Sequence, residues 1–351
     1  MNRLLKNTFF LILLLGLTTC AKERLETTAS VLADEEISFR NHNERVVVAN
    51  RASRSISVID AATNTLIGTY PMPDNGEPMY VVHVPRVNAV FVGDRANNRV
   101  VVFDESDFSV LGFRQAGAGV FHMWANPIGT ELWVNNDIDN TTTVIHPGST
   151  KVKATVATPA DLVAQGGKPH DVFYDPVVRA AYVSVLGNSG PNDYIVKYGG
   201  FYTEVGRVAV GKDPHLFADD ANNLLYVPCQ GTGELYVLDR NTLNVQAILP
   251  FSGAHGIFMT GSGDYAYVGN ISGAMIGLFD TNTNSQVGAA VSTPFSTPHN
   301  LVINTTEDKL FVTHSGGTAD KLSIYSLNPA PTLMTSITVG LNPFGLAYYR
   351  Y

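Results

Sequence analysis

Five histidines stand at matching places in a repeat: GAGVFHMW (His122), GGKPHDVF (His170), GKDPHLFA (His215), FSGAHGIF (His255) and STPHNLVI (His299). The chain holds nine His in 351 residues, so seven positions drawn at that frequency would carry about 0.2 of them. Five therefore require a cause. Imidazoles gathered from separate repeats suit copper, zinc or iron rather than magnesium or calcium. Copper stands first, because Met79 (GEPMYVVH) falls in the same column and offers a soft thioether. Phe344 (LNPFGLAY) completes the column. With Met79 it would form an apolar arc free of nitrogen, leaving an open coordination position. Two other readings remain, a ring that holds an organic or anionic ligand and a ring whose imidazoles only hydrogen-bond one another.

The elements that must position these residues are short strands. The column spacings are 43, 48, 45, 40, 44 and 45 residues. Each column residue precedes an apolar strand ending in small or polar residues, such as VVVAN, FVGD, WVNN, YVGN and FVTH. A second series follows, including ISVID from Ile56, VVVFD from Val100 and IGLFD from Ile276. β-Branched and aromatic runs bounded by Gly, Asn and Asp are strands. Seven units of about 40–45 residues with four short strands each predict an all-β, seven-bladed β-propeller. The fold starts on the second strand of a blade near Val46 and ends on a first strand, Phe344 to Tyr349. The C-terminal strand is thus expected to close the ring.

The column is expected just before the first strand of each blade, over the channel mouth. Seven hub strands would leave a ring of roughly 7–10 Å radius, so imidazoles would meet on one ion only at the narrow end of that range. The end of each second strand returns to the same face and holds Asn50, Asp94, Asn136, Val185, Cys229, Asn270 and His314. The asparagines are expected to cap turns, His314 and Cys229 to orient or ligate, and Asp94 to orient an imidazole. His83 is expected in the core, His146 after an outer strand, and Trp124 and Tyr174 between blades. Strand alternation should turn Asp171 away from His170, toward turn or interblade hydrogen bonds. The sequence contains no phosphate-binding glycine loop, nucleophile elbow, CxxC pair or hydrolase-like carboxylate cluster.

VVVAN, YVGN and FVTH, with SVIDAATNTLIGTYPM, resemble the repeat of the bacterial and archaeal YVTN-type β-propeller family over about residues 45–351. The resemblance implies a propeller and an exported or surface-binding scaffold. It implies no specific activity.

Residues 1–20 have the form of an export signal. Arg3 and Lys6 precede a short apolar run at residues 9–17, too short for a membrane span, and LTTC ends at a lipobox-like Cys20 as lipidation site. Residues 21–44, which include His42, are polar and aperiodic and read as a tether. Net charge is −8 without a Lys/Arg run in the mature chain, so nucleic acid is not an expected partner. Together these features predict an exported cell-envelope lipoprotein, monomeric, whose axial histidine ring binds a transition metal and could support redox chemistry. The rival is a non-catalytic scaffold binding protein, glycan or small ligand at its rim; a metal-independent lyase or isomerase using a ring His as base is a third reading.

Overall fold

The computed structural model describes residues 43–351 apart from Pro127 and Asp220, so Cys20, His42, the export signal and most of the tether lie outside the described residues. Seven antiparallel sheets make up most of this region, with one short α-helix at Ala160–Val163. Six are built from consecutive hairpins, and one has a fifth short strand. In the first blade the chain's last strand, Pro343–Arg350, pairs with its first, Glu44–Asn50, through Arg45↔Tyr349, Val46↔Tyr348 and Val47↔Ala347. This is the closure expected from the sequence.

The third strand of several blades ends in Asp because the turn beyond it needs an acceptor. Asp60 Oδ1 accepts from Thr63 N at 2.9 Å, and Asp280 Oδ1 from Asn282 and Thr283 N, both at 2.9 Å. The same turns place Asn64 and Asn284 at φ 57° and 49°, where Asn is tolerated. These carboxylates are consumed by turns.

Packing between blades buries the aromatic that begins each apolar second-strand motif, including Phe91, Trp133, Tyr182, Tyr226, Tyr267 and Phe311. Trp124 packs in two of these inter-blade clusters and Tyr174 in one. His83 is stacked on Tyr349 at 4.1 Å and bonded to Glu105 at 2.6 Å.

Candidate functional site

A recurrent β-bulge builds the site. Along the inner strands, Pro78↔Asp94 is followed by Val81↔Val92, Val120↔Asn136 by Met123↔Val134, and Pro169↔Val185 by Val172↔Val183. The same step recurs at Ala254↔Asn270, Pro298↔His314 and Pro343↔Asn50. Each time the inner strand advances three residues against two on its partner, so two successive residues are left unpaired beside the axis. In these six blades the column therefore lies within the first strand rather than ahead of it; His215 stands just ahead of its strand, Phe217–Asp219, as the sequence suggests.

The bulge has two positions, and they define two tiers. The first holds Met79, Phe121, His170, His215, His255, His299 and Phe344. The second holds Tyr80, His122, Asp171, Leu216, Gly256, Asn300 and Gly345. His122 is thus not a member of the histidine column; it stands one place later, and Phe121 occupies the column in its blade. The fifth blade lacks the extra residue, since Pro214↔Cys229 is followed by Phe217↔Tyr226 with three residues on each side. Glycine in the second tier answers to crowding. A Cβ on Gly256 would lie 2.1 Å from the His299 carbonyl, and one on Gly345 would lie 2.6 Å from Tyr80 Cα.

The first-tier rings stand close together around the axis. Ring centroids run Phe121–His170 4.8 Å, His170–His215 4.7 Å, His215–His255 3.9 Å, His255–His299 4.5 Å and His299–Phe344 4.1 Å. Phe121 and Phe344 meet at 5.9 Å and complete the circle. His122 reaches the same place from the second tier, 5.0 Å from His170 and 5.2 Å from His215.

Asp171 organises one side of this ring. Its Oδ1 accepts from His122 Nδ1 at 2.8 Å, and its Oδ2 lies 3.5 Å from His215 Nδ1. Backbone N–H groups of Val172 and Leu216 occupy the same two oxygens at 2.7 and 3.1 Å. The bulge overturns the alternation argument, because two unpaired neighbours can both reach the axis. A carboxylate on Nδ1 leaves the lone pair on Nε2, the tautomer a metal ligand needs. His215 Nε2 lies 3.2 Å from His170 Nε2, and His122 Nε2 is buried without a hydrogen-bond partner. One ligand atom from each of His122, His170 and His215 lies within 4.8 Å of the other two. Two nitrogens 3.2 Å apart, each ~2.0–2.1 Å from a shared ion, would subtend about 100° there, close to tetrahedral.

The electrostatics favour neutral imidazoles beside an anionic carboxylate. Burial pushes His170, His255 and His299 well below the ordinary imidazole range, and neighbouring imidazoles push them further. Burial also lowers His122, with Asp171 opposing. For Asp171 burial acts upward, but His122 and His215 outweigh it and hold the carboxyl well below its usual range.

The other side is built differently. Both nitrogens of His255 are buried without partners. His299 Nδ1 is 2.7 Å from the Asn300 amide, which also donates to the Tyr80 hydroxyl at 3.3 Å. Tyr80 in turn covers His122 at 3.5 Å between centroids.

Three residues expected near the ring serve elsewhere. His314 spends Nε2 on Ser323 at 2.9 Å and Nδ1 on the Ser296 carbonyl at 3.1 Å. Cys229 is fully buried, its Sγ 3.5 Å from the Val227 carbonyl, and burial drives its thiol far upward. Asp94 accepts from Arg99 Nε at 3.0 Å, Glu77 N at 3.0 Å and Asn97 Nδ2 at 2.8 Å, with no imidazole among its partners. Asn270 does cap its turn, accepting from Gly273 N, whereas Asn136 accepts from Gly117 N in the connection between blades. Met79 is fully buried at the first bulge position.

The sequence carried a signal for the register shift. From column residue to the next blade-core aromatic the gap is 12, except 11 at His122 and His215. The first exception is the displaced histidine and the second the missing bulge residue. Asp171, Phe121, Tyr80 and Asn300 became legible only through this register.

No protein-family model matches the chain, and no curated protein matches it by sequence. Solved structures do match. A Lactobacillus plantarum protein superposes with a TM-score of 0.72 at 13% identity, over 88% of this chain and 99% of that one. A periplasmic gluconolactonase of Pseudomonas aeruginosa gives 0.69 at 15%, over 87% and 98%. Hydrazine synthase of Kuenenia stuttgartiensis gives 0.67 at 13%, over 83% and 92%. At this identity the likeness establishes a shared seven-bladed propeller fold and nothing about chemistry.

Proposed function

We propose that the protein binds one transition-metal ion through His122, His170 and His215, with Asp171 holding two of the three imidazoles from behind. The observation that carries this reading is the single carboxylate on two Nδ1 atoms, which leaves Nε2 of both free to ligate beside His170. His255 and His299 extend the ring and supply the next nearest nitrogens. An all-imidazole set places copper ahead of zinc and iron in affinity. Such an ion with an open position would act as a Lewis acid, and copper would add one-electron chemistry. The N-terminal signal, the lipobox-like Cys20 and the resemblance to YVTN-type propellers support an exported, lipid-anchored protein.

Elemental analysis of protein made under metal-replete conditions tests the reading. About one equivalent of metal is expected in the wild type and background in a folded His170→Ala/His215→Ala variant. A folded wild type without stoichiometric metal would leave the rim-binding scaffold as the better account.

A further inference from the structure

We propose that the axial cavity beneath the imidazole ring binds a neutral aromatic alcohol of one or two fused rings, admitted from the face opposite that ring. The cavity is about 520 Å³, within the range of small-organic-ligand sites. The packed circle of Phe121, Phe344 and the histidines closes it above. Its lining reaches the exposed residues Pro85, Thr305 and Arg350 at the other end.

The wall is lopsided, and one register column explains why. Val82, Trp124, Phe173, Phe217, Phe258, Val302 and Ala347 each pair with the equivalent second-strand residue. Blades three, five and six line the cavity with aromatic rings, Trp124–Phe217 at 5.7 Å and Phe217–Phe258 at 4.8 Å, while Phe173 of blade four backs Trp124 at 4.6 Å without lining the cavity itself. The remaining three blades contribute Val302, Ala347 and Val82. Ala347 pairs with Val47, where the other six inner residues face Phe, Tyr or Trp. The small side chains open the space, and the aromatic wall opposite suits a flat ring by offset or edge contact.

Polar groups gather at the closed end, where Tyr80, His122, Asp171, His215 and Asn300 line the cavity. Both Asp171 oxygens are already engaged, so that carboxylate does not call for a cation. The unpartnered Nε2 of His122 calls for a donor. A hydroxyl provides one; a carboxylate would instead face the charge of Asp171. This inference draws on the same His122 Nε2 that the metal would use, so its test uses chelator-treated protein and the two can fail separately.

The probe is 2-naphthol, titrated by calorimetry into the full-length, chelated protein, with the Ala347 methyl resonance followed in parallel. Saturable one-to-one binding is expected, with a ring-current shift of that methyl. Ala347→Trp and Val82→Phe, each with native sheet content, should weaken binding at least tenfold, and 2-naphthoate should bind at least tenfold more weakly than 2-naphthol. Absence of saturable binding in the wild type overturns the proposal, as does binding that leaves the methyl unmoved. Wild-type affinity in a folded filled variant, or equal affinity for the carboxylate, also overturns it.

Discussion

His215 and His255 occupy the same column position in adjacent blades, with rings 3.9 Å apart, yet their surroundings differ. His215 has Asp171 beside Nδ1 and His170 beside Nε2. His255 has no hydrogen-bond partner for either nitrogen. The difference originates in the second tier, which presents Asp171 toward one and glycine at position 256 in the other's own blade. Repetition supplies the imidazoles, and the residue beside each decides whether its tautomer and direction are fixed.

Removing the organiser is the sharpest way to break this comparison. Asp171→Asn should weaken metal binding about 10–100-fold, as expected for a carboxylate holding histidine ligands. Competition with a chromophoric chelator would measure it; an unchanged affinity would mean the carboxylate does not set the imidazoles. Asp171→Asn and His215→Ala should also combine non-additively, since they remove one linked unit.

A smaller effect should follow pH in the chelated protein. His122, His170, His255 and His299 are all depressed by burial, so they bind protons less readily folded than unfolded. Their contribution is complete above the unfolded imidazole pKa and is lost as pH falls from there through the folded values. Each uncoupled imidazole can add up to about 1.4 kcal/mol per pH unit to that slope. Melting temperature should therefore drop as pH falls below about 6.5, and His255→Ala should flatten the decline. A melting profile flat across this interval would contradict buried neutral imidazoles.

The smallest expected change is in metal affinity of His255→Ala. Loss below about tenfold, less than for Asp171→Asn, would keep the two halves of the ring distinct. A loss equal to that of His170→Ala would make the ring a single ligand set and erase the contrast.

The architecture was largely legible because period, turn residues and apolar runs all carried it. Asn64, Asn284 and the aspartates of ISVID and IGLFD are local signals, and locally they did what their chemistry requires. The site was legible only in part. His170, His215, His255 and His299 share a column, but a bulge changes which neighbours face inward, and its trace in the sequence is the spacing to the next aromatic rather than the strand pattern. Alternation sends Asp171 to turn or interblade contacts; it does bond to Leu216 N in the next blade, yet it also holds two ring imidazoles. His314 and Cys229 looked available by type, whereas Ser323, Ser296 and deep burial had already claimed them.

Phe344 belongs to the strand that seals the first blade, and it also rests on His299 at 4.1 Å. The six other blades can form from neighbouring hairpins, while this pairing joins segments remote in the sequence and carries the greater loop-closure cost. Assembly of the imidazole circle is thereby coupled to the strand pairing with the greatest sequence separation among the described residues. A polypeptide caught before that event would display its histidines without their aromatic cover, so exposure of the ring would serve as a reporter of unfinished folding.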